Sequence, residues 1–176
     1  QLRQLWGAAA RRYLEAEGTR PEPELELAAL LDPLVERLVA DDPELLGLSV
    51  VFPEQLLPAL ALARRLRQRA AVRGRGAPLV VLGGAALAAL EIDELLRLRP
   101  EIDAALVGEG EPGAALLCAG AAWETVPGLV WRASADLRHN RRAPGVALET
   151  LLPPDFSGLP LDRLFSPSPV LPLVFS

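Results

Sequence analysis

Through the middle of this chain, two patterns of apolar residues take turns. The stretch Leu45 to Phe52 reads Leu-Leu-Gly-Leu-Ser-Val-Val-Phe, with no apolar–polar alternation. A short unalternating apolar run suits a strand buried on both faces, as in a parallel sheet. Two later stretches repeat the pattern: Pro78-Leu-Val-Val-Leu-Gly-Gly84, and Asp103-Ala-Ala-Leu-Val-Gly-Glu-Gly-Glu111. Each stops at a glycine-bearing turn. Between them the apolar residues return at helical spacing. Leu56, Leu57, Leu60, Ala61 and Ala63 give one face to a helix over 53–73, and a second helix is predicted over 85–98, with a break near Glu91. Pro53 suits the first turn of its helix, where a missing N–H costs nothing.

Strands alternating with helices predict βαβ units and a parallel sheet. The expected fold class is α/β: a Rossmann-like or flavodoxin-like three-layer parallel sheet with flanking helices. Ahead of it, 1–17 reads as a helix with Leu5, Ala8, Ala9 and Leu14 at helical spacing and Gly18 as its stop. From Glu24 to about Ala40, apolar residues at 27, 30, 31, 34, 35, 38 and 39 make a strong face, and Pro33 should kink or split that helix. A short helix is expected over 111–120. After Trp123 the pattern changes to two short strands, 125–132 and 136–140, read as a β-hairpin. Irregular Pro/Leu-rich chain follows, and Val170 to Ser176 is one more apolar strand. The expected organisation is therefore N-terminal helices over 1–43, an α/β domain over 44–124, the hairpin over 125–142, and a linker with a final strand over 143–176.

Composition changes the picture in a few places. The apolar fraction of 51% over 176 residues is ample for a core. All 18 basic residues are arginine, and methionine is absent. The absence of Met and the closing strand lead to the expectation of a piece of a larger protein. A net charge of −5 argues against a general nucleic-acid binder. The arginines at 64, 65, 67, 69, 73 and 75 are expected on a solvated helix face. The single cysteine, Cys118, lies in an apolar helix and is expected as a small core residue. No apolar run reaches the roughly 18–20 residues that span a bilayer, so a cytoplasmic protein without membrane partners is expected.

Candidate chemistry gathers at the ends of the three strands, where open α/β sheets bind ligands. Ser49 closes the first strand. Gly83 and Gly84 close the second, letting a flat ligand approach the backbone, and Ala85 opens a helix whose free N–H groups suit an anion. Gly108-Glu-Gly-Glu-Pro-Gly113 formally matches a dinucleotide fingerprint. Glu109 and Glu111, however, put two carboxylates where a pyrophosphate would sit, and acids there also simply stabilise a helix start. His139, the one histidine, is expected at the surface of the hairpin.

Taken in order, Gly47-Leu-Ser-Val-Val-Phe52, Val81-Leu-Gly-Gly84 and Leu106-Val-Gly-Glu-Gly-Glu111 resemble the cobalamin-binding domain at the front of cobalamin-dependent radical SAM proteins. Val126-Pro-Gly-Leu-Val-Trp131 looks like that family's "PGL" hairpin, Pro153-Pro-Asp-Phe156 like its "P-D-F" linker, and Val170 to Ser176 like the first strand of its radical SAM barrel. The resemblance covers about residues 44–176. The family's first strand and its D-x-H-x-x-G loop have no counterpart.

The resemblance implies roles. Ser49, with Val50 beside it, would hydrogen-bond the nucleotide tail of cobalamin. Gly83, Gly84 and Ala85 would leave it room. Phe52, Pro53 and Gln55 would face the corrin or its amides, and Gly108, Glu109, Gly110 and Glu111 would shape the adjoining wall. The parent would be a methyltransferase or related radical enzyme using cobalamin, a [4Fe–4S] cluster and S-adenosylmethionine, the last two belonging to a barrel beyond this chain and its cluster cysteines. The rival expectation is a docking or substrate-binding module that keeps the fold without the cofactor.

Overall fold

A computed structural model of the chain describes residues 22–142, apart from 75 and 135, together with 145. The helix expected over 1–17, the linker motif at 153–156 and the strand at 170–176 lie outside the described residues.

The three apolar runs are strands: β1 (Leu45–Ser49), β2 (Leu79–Gly83) and β3 (Ala104–Leu106). They are adjacent and parallel, with Leu45 opposite Leu79, Ser49 opposite Gly83, and Val81 opposite Ala104. The hairpin strands β4 (Leu129–Ala133) and β5 (Asp136–His139) do not stand apart. They extend the same sheet in antiparallel fashion, giving the order β1-β2-β3-β4-β5. The sheet is therefore mixed and five-stranded, which corrects the all-parallel expectation. Leu129, Val130 and Trp131 are all buried, so β4 is itself an internal strand sandwiched on both faces.

The helices are α1 (Glu22–Asp41), α2 (Leu56–Val72), α3 (Ile92–Leu98) and α4 (Glu111–Cys118). A 3₁₀ turn at Pro53–Gln55 leads into α2, and another at Ala85–Ala89 precedes α3. The second segment thus breaks where Glu91 suggested. Pro33 lies inside α1 without splitting it. Its ring faces solvent, while Leu31, Val35 and Val39 hold the helix on Ala61, Leu62 and Leu66 of α2. That packing outweighs one lost backbone hydrogen bond.

Strand side chains alternate between two faces. Leu46, Leu48, Val80, Leu82, Ala105 and Val107 point to one of them, where Leu56, Leu60 and Ala63 of α2 and Leu95 and Leu96 of α3 complete the main core. Both crossovers therefore lie on a single face, as crossovers of one hand require for the order 1-2-3. On the other face Val81, Ala104, Leu106, Leu129 and Trp131 pack with Val126, and with Leu117 of α4 and Trp123 at their margin. The Trp123 and Trp131 rings meet edge to face, centroids 6.3 Å apart at 85°.

The end of the sheet where the parallel strands begin is tied by arginines. Arg132 of β4 donates to the carbonyls of Leu96, Arg99 and Ile102. Arg99 and Glu101 form a buried ion pair at 2.6 Å. Arg67 of α2 reaches Asp103 at 2.5 Å, and the same carboxylate accepts from the Val80 N–H at 2.6 Å. The arginines of α2 are not merely solvated, as the sequence suggested. Arg65 pairs with Asp32, and Arg69 and Arg73 both pair with Glu36, riveting α2 to α1.

Candidate functional site

The expected site residues sit where the parallel strands end. Ser49 and Gly83 are the last residues of β1 and β2 and are register partners. Partners in a parallel ladder point to the same face, so Ser49 and Gly83 lie together on the face away from α2 and α3. Gly47 joins them two residues below. Ser49 and Gly47 are exposed, and a Cβ built on Gly47 or on Gly83 would meet nothing within 4 Å. Both crossovers lie on the opposite face, so among the described residues neither α2 nor α3 covers this corner. Its floor is Gly47, Ser49, Val81 and Gly83, and Leu79, 43% exposed, lies at its lower end. The result is a shallow trough at the carboxyl end of two parallel strands, where Gly47 and Gly83 carry no side chain, bounded below by Leu45, Leu79 and the buried Val81. Sequence reasoning missed Gly47 and Leu79. The signal available was parity: residues 45, 47 and 49 share one face once the run is read as a strand.

The two adjacent glycines do different work. Gly83 is open, whereas Gly84 has φ +101°, and a Cβ there would fall 2.6 Å from the Val50 carbonyl carbon and 2.7 Å from the Val50 nitrogen. The backbones of the two strand ends are laced at that point. Val50 N–H donates to Gly83 O at 2.7 Å, and Ala86 N–H donates to Val50 O at 3.1 Å. Gly84 is therefore needed by the junction itself. The Val50 side chain is wholly buried in the main core, so only its backbone takes part in this edge. Ala85 is exposed at the start of its 3₁₀ turn.

At the rim, Gln55 folds back so that its Oε1 accepts from the N–H groups of Val51 and Phe52, at 2.8 and 3.0 Å. That clamp fixes the turn between β1 and α2 and leaves Val51 and Phe52 pointing outward, 48% and 63% exposed. Pro53 is half-buried behind them.

The third turn is built differently. Gly108 has φ +102°, and a Cβ on it would touch the Arg142 side chain at 3.6 Å. A Cβ on Gly145 would lie 3.4 Å from Oε1 of Glu109. Arg142 and Gly145 thus lie beside the Gly108–Glu109 turn, which is itself exposed. Gly110 and Glu111 start α4, and Gly113 is buried so tightly that a Cβ there would strike Leu106. Ser49 and Gly83 therefore lie together at the ends of β1 and β2, while Gly108 to Glu111 form a largely exposed turn two strand spacings from β1, about 10 Å away.

His139 lies on β5, half exposed, with Nε2 3.2 Å from Asp93 of α3. It is four strand spacings from β1, roughly 19 Å, and does not face the trough. Cys118 is exposed at the end of α4, which overturns the expectation of a core thiol. Only Gly113 and Leu117 of that helix pack inward. Among the described residues no helix is long and apolar enough to cross a membrane. No protein-family model matches the chain, and no curated protein is similar to it.

Proposed function

We propose that the chain is the cobalamin-binding part of a Rossmann-like radical SAM enzyme, a methyltransferase or a related radical enzyme, with the trough over β1 and β2 as the seat of the nucleotide tail. The observation that carries the reading is the pairing of Ser49 with Gly83 on an open, glycine-floored face at the carboxyl end of two adjacent parallel strands. A flat or extended ligand needs a floor without side chains and a hydroxyl to orient it, and large, mostly uncharged ligands prefer such clefts at strand ends.

The fit is good for the tail. Gly47 and Gly83 leave their Cβ space empty, and the Ser49 hydroxyl stands between them to donate or accept one hydrogen bond. Phe52 and Val51 offer an apolar rim against which a corrin edge would rest, with Gln55 fixing their loop. Gly84 and Val50 keep the two strand ends at the spacing the trough needs. Bound cobalamin would supply a cobalt able to carry a methyl group. His139 is too distant to coordinate that cobalt from this trough, so a lower ligand, if the enzyme uses one, would not be this residue. The [4Fe–4S] cluster and S-adenosylmethionine would belong to the barrel that the family places after this segment.

The test is a titration of cobalamin with the chain, followed by visible absorbance. Saturable binding supports the reading. Folded protein with no binding removes it and leaves a docking module whose exposed Val51 and Phe52 meet another protein.

A further inference from the structure

The two edges of the sheet are not alike. β5, at one side, carries Asp136 and Arg138, charges of the kind that guard an edge against stray pairing. β1, at the other, is Leu-Leu-Gly-Leu-Ser, with no charge, proline or bulge. Its bonds to β2 run through even-numbered residues. Leu79 N–H donates to Glu44 O at 2.9 Å, and Val50 N–H donates to Gly83 O at 2.7 Å. Successive residues of a strand turn their backbone groups to opposite sides, so Leu45, Gly47 and Ser49 each turn an N–H and a C=O to the free side. Among the described residues no strand pairs with them.

α1 borders that free side. It lies on the α2 face of the sheet, where Leu31, Val35 and Val39 cluster with Leu46 and Leu48 of β1. One flank of α1 is tied to α2 through Asp32 and Glu36. The other flank carries Leu30, Leu34 and Leu38, one row at i, i+4 spacing. Leu38 still packs on the cluster, while Leu34 is 40% and Leu30 73% exposed. The row covers about 12 Å, close to the length of β1, about 13 Å from Leu45 to Ser49. A strand added beside β1 would satisfy its outward backbone groups and lie under these leucines.

Charge marks one end of the same edge. Asp41, Asp42 and Glu44 are exposed where the chain enters β1, and Arg37, one turn back on α1, offsets at most one of them. The last turn of α1 holds no basic residue, and the negative end of a helix dipole disfavours carboxylates. This end of the edge therefore favours a cation.

We propose that the free edge of β1 binds an extended strand of a partner protein, apolar on the face turned to Leu30 and Leu34 and basic where it passes Asp41, Asp42 and Glu44. Backbone hydrogen bonds would hold the strand, and the leucine row and the carboxylates would select it.

The experiment uses the full chain without cobalamin and follows amide hydrogen exchange by NMR. The probes are two synthetic peptides of alternating valine and threonine, with two arginines at the amino end in one and at the carboxyl end in the other, to cover parallel and antiparallel pairing. One of them should bind saturably and slow the Leu45, Gly47 and Ser49 amides at least tenfold, with little change at Leu46 and Leu48, whose N–H groups face β2. Gly47→Pro removes an outward N–H and no bond to β2, and should abolish the effect in a protein whose α3 spectrum is unchanged. Leu30→Lys with Leu34→Lys, at exposed positions, should weaken binding at least tenfold, as should exchanging the arginines of the peptide for glutamates. Four results would overturn the proposal. They are no saturable change with either peptide at millimolar concentration, slow exchange of the three amides before peptide is added, protection confined to Val51 and Phe52, and equal binding of the glutamate-ended peptides. A failed cobalamin titration would leave this result untouched.

Discussion

Gly83 and Gly84 are neighbours in sequence, yet alanine should cost very different amounts at the two positions. At Gly84 the backbone has φ +101° and ψ 164°, a region that residues with a side chain enter at a cost on the order of 1–3 kcal/mol. The added methyl would also sit 2.6–2.7 Å from the Val50 carbonyl carbon and nitrogen, against backbone that cannot rotate away. Relief requires parting β1 from the Gly84 turn. That strains the bonds Val50 N–H to Gly83 O and Ala86 N–H to Val50 O, each contributing about 1 kcal/mol. The sum for Gly84→Ala is about 3–5 kcal/mol. For a domain whose whole stability is on the order of 5–15 kcal/mol, that removes much of the margin. At Gly83 the methyl meets nothing within 4 Å and the residue is an ordinary strand position. Restricting the unfolded chain there should be neutral or stabilising by up to about 1 kcal/mol. Urea unfolding of the two variants against the parent, at matched slope, measures the difference. A Gly84→Ala variant within about 1 kcal/mol of the parent, or a Gly83→Ala variant less stable than Gly84→Ala, would refute the reasoning.

Arg132→Ala should destabilise by about 2–4 kcal/mol in the same assay, because the carbonyls of Leu96, Arg99 and Ile102 lose a shared charged donor; a change under about 0.5 kcal/mol would show that water replaces it. Glu36→Ala, which removes the partner of Arg69 and Arg73 on partly exposed surface, should cost only about 0.5–1 kcal/mol, and less in high salt; a larger, salt-independent loss would contradict a surface tie. Cys118 is exposed, so one equivalent of thiol should react with a disulfide reagent in the native protein, whereas reaction only after denaturant would place it in the core.

The parts of the fold that were legible in the sequence are those fixed by local pattern. Three unalternating apolar runs ended by Ser or Gly gave three parallel strands, and the polar Glu91 marked the break before α3. What was not legible depended on distant partners. Nothing near Leu129–Trp131 says that the hairpin pairs antiparallel with β3. The alignment of α1 with α2, which turns Arg65, Arg69 and Arg73 into ties to Asp32 and Glu36, cannot be read from either helix alone. Cys118 looked buried because its neighbours are apolar, but a helix of eight residues packed on one face leaves most of them outside. The candidate site was half legible. Ser49 and Gly83 do come together, while Gly84 serves the Val50 junction and the Gly108–Glu111 turn stands two strands away beside Arg142 and Gly145. Identical glycines in sequence are told apart only by their φ and by what a Cβ would strike.

The trough over β1 and β2 is the centre of the account, and filling it tests it most directly. Gly83→Leu places a side chain beside Ser49, where a Cβ on Gly83 meets nothing within 4 Å, while sparing the Gly84 junction, and Gly76→Leu, also with nothing within 4 Å but in the loop before β2, serves as control. Cobalamin affinity measured by visible absorbance on the folded parent and both variants should fall at least tenfold, about 1.4 kcal/mol, in Gly83→Leu and stay at the parent value in Gly76→Leu. Equal affinity in parent and Gly83→Leu, or no binding by the folded parent, would contradict the assignment of this face as the cofactor's seat.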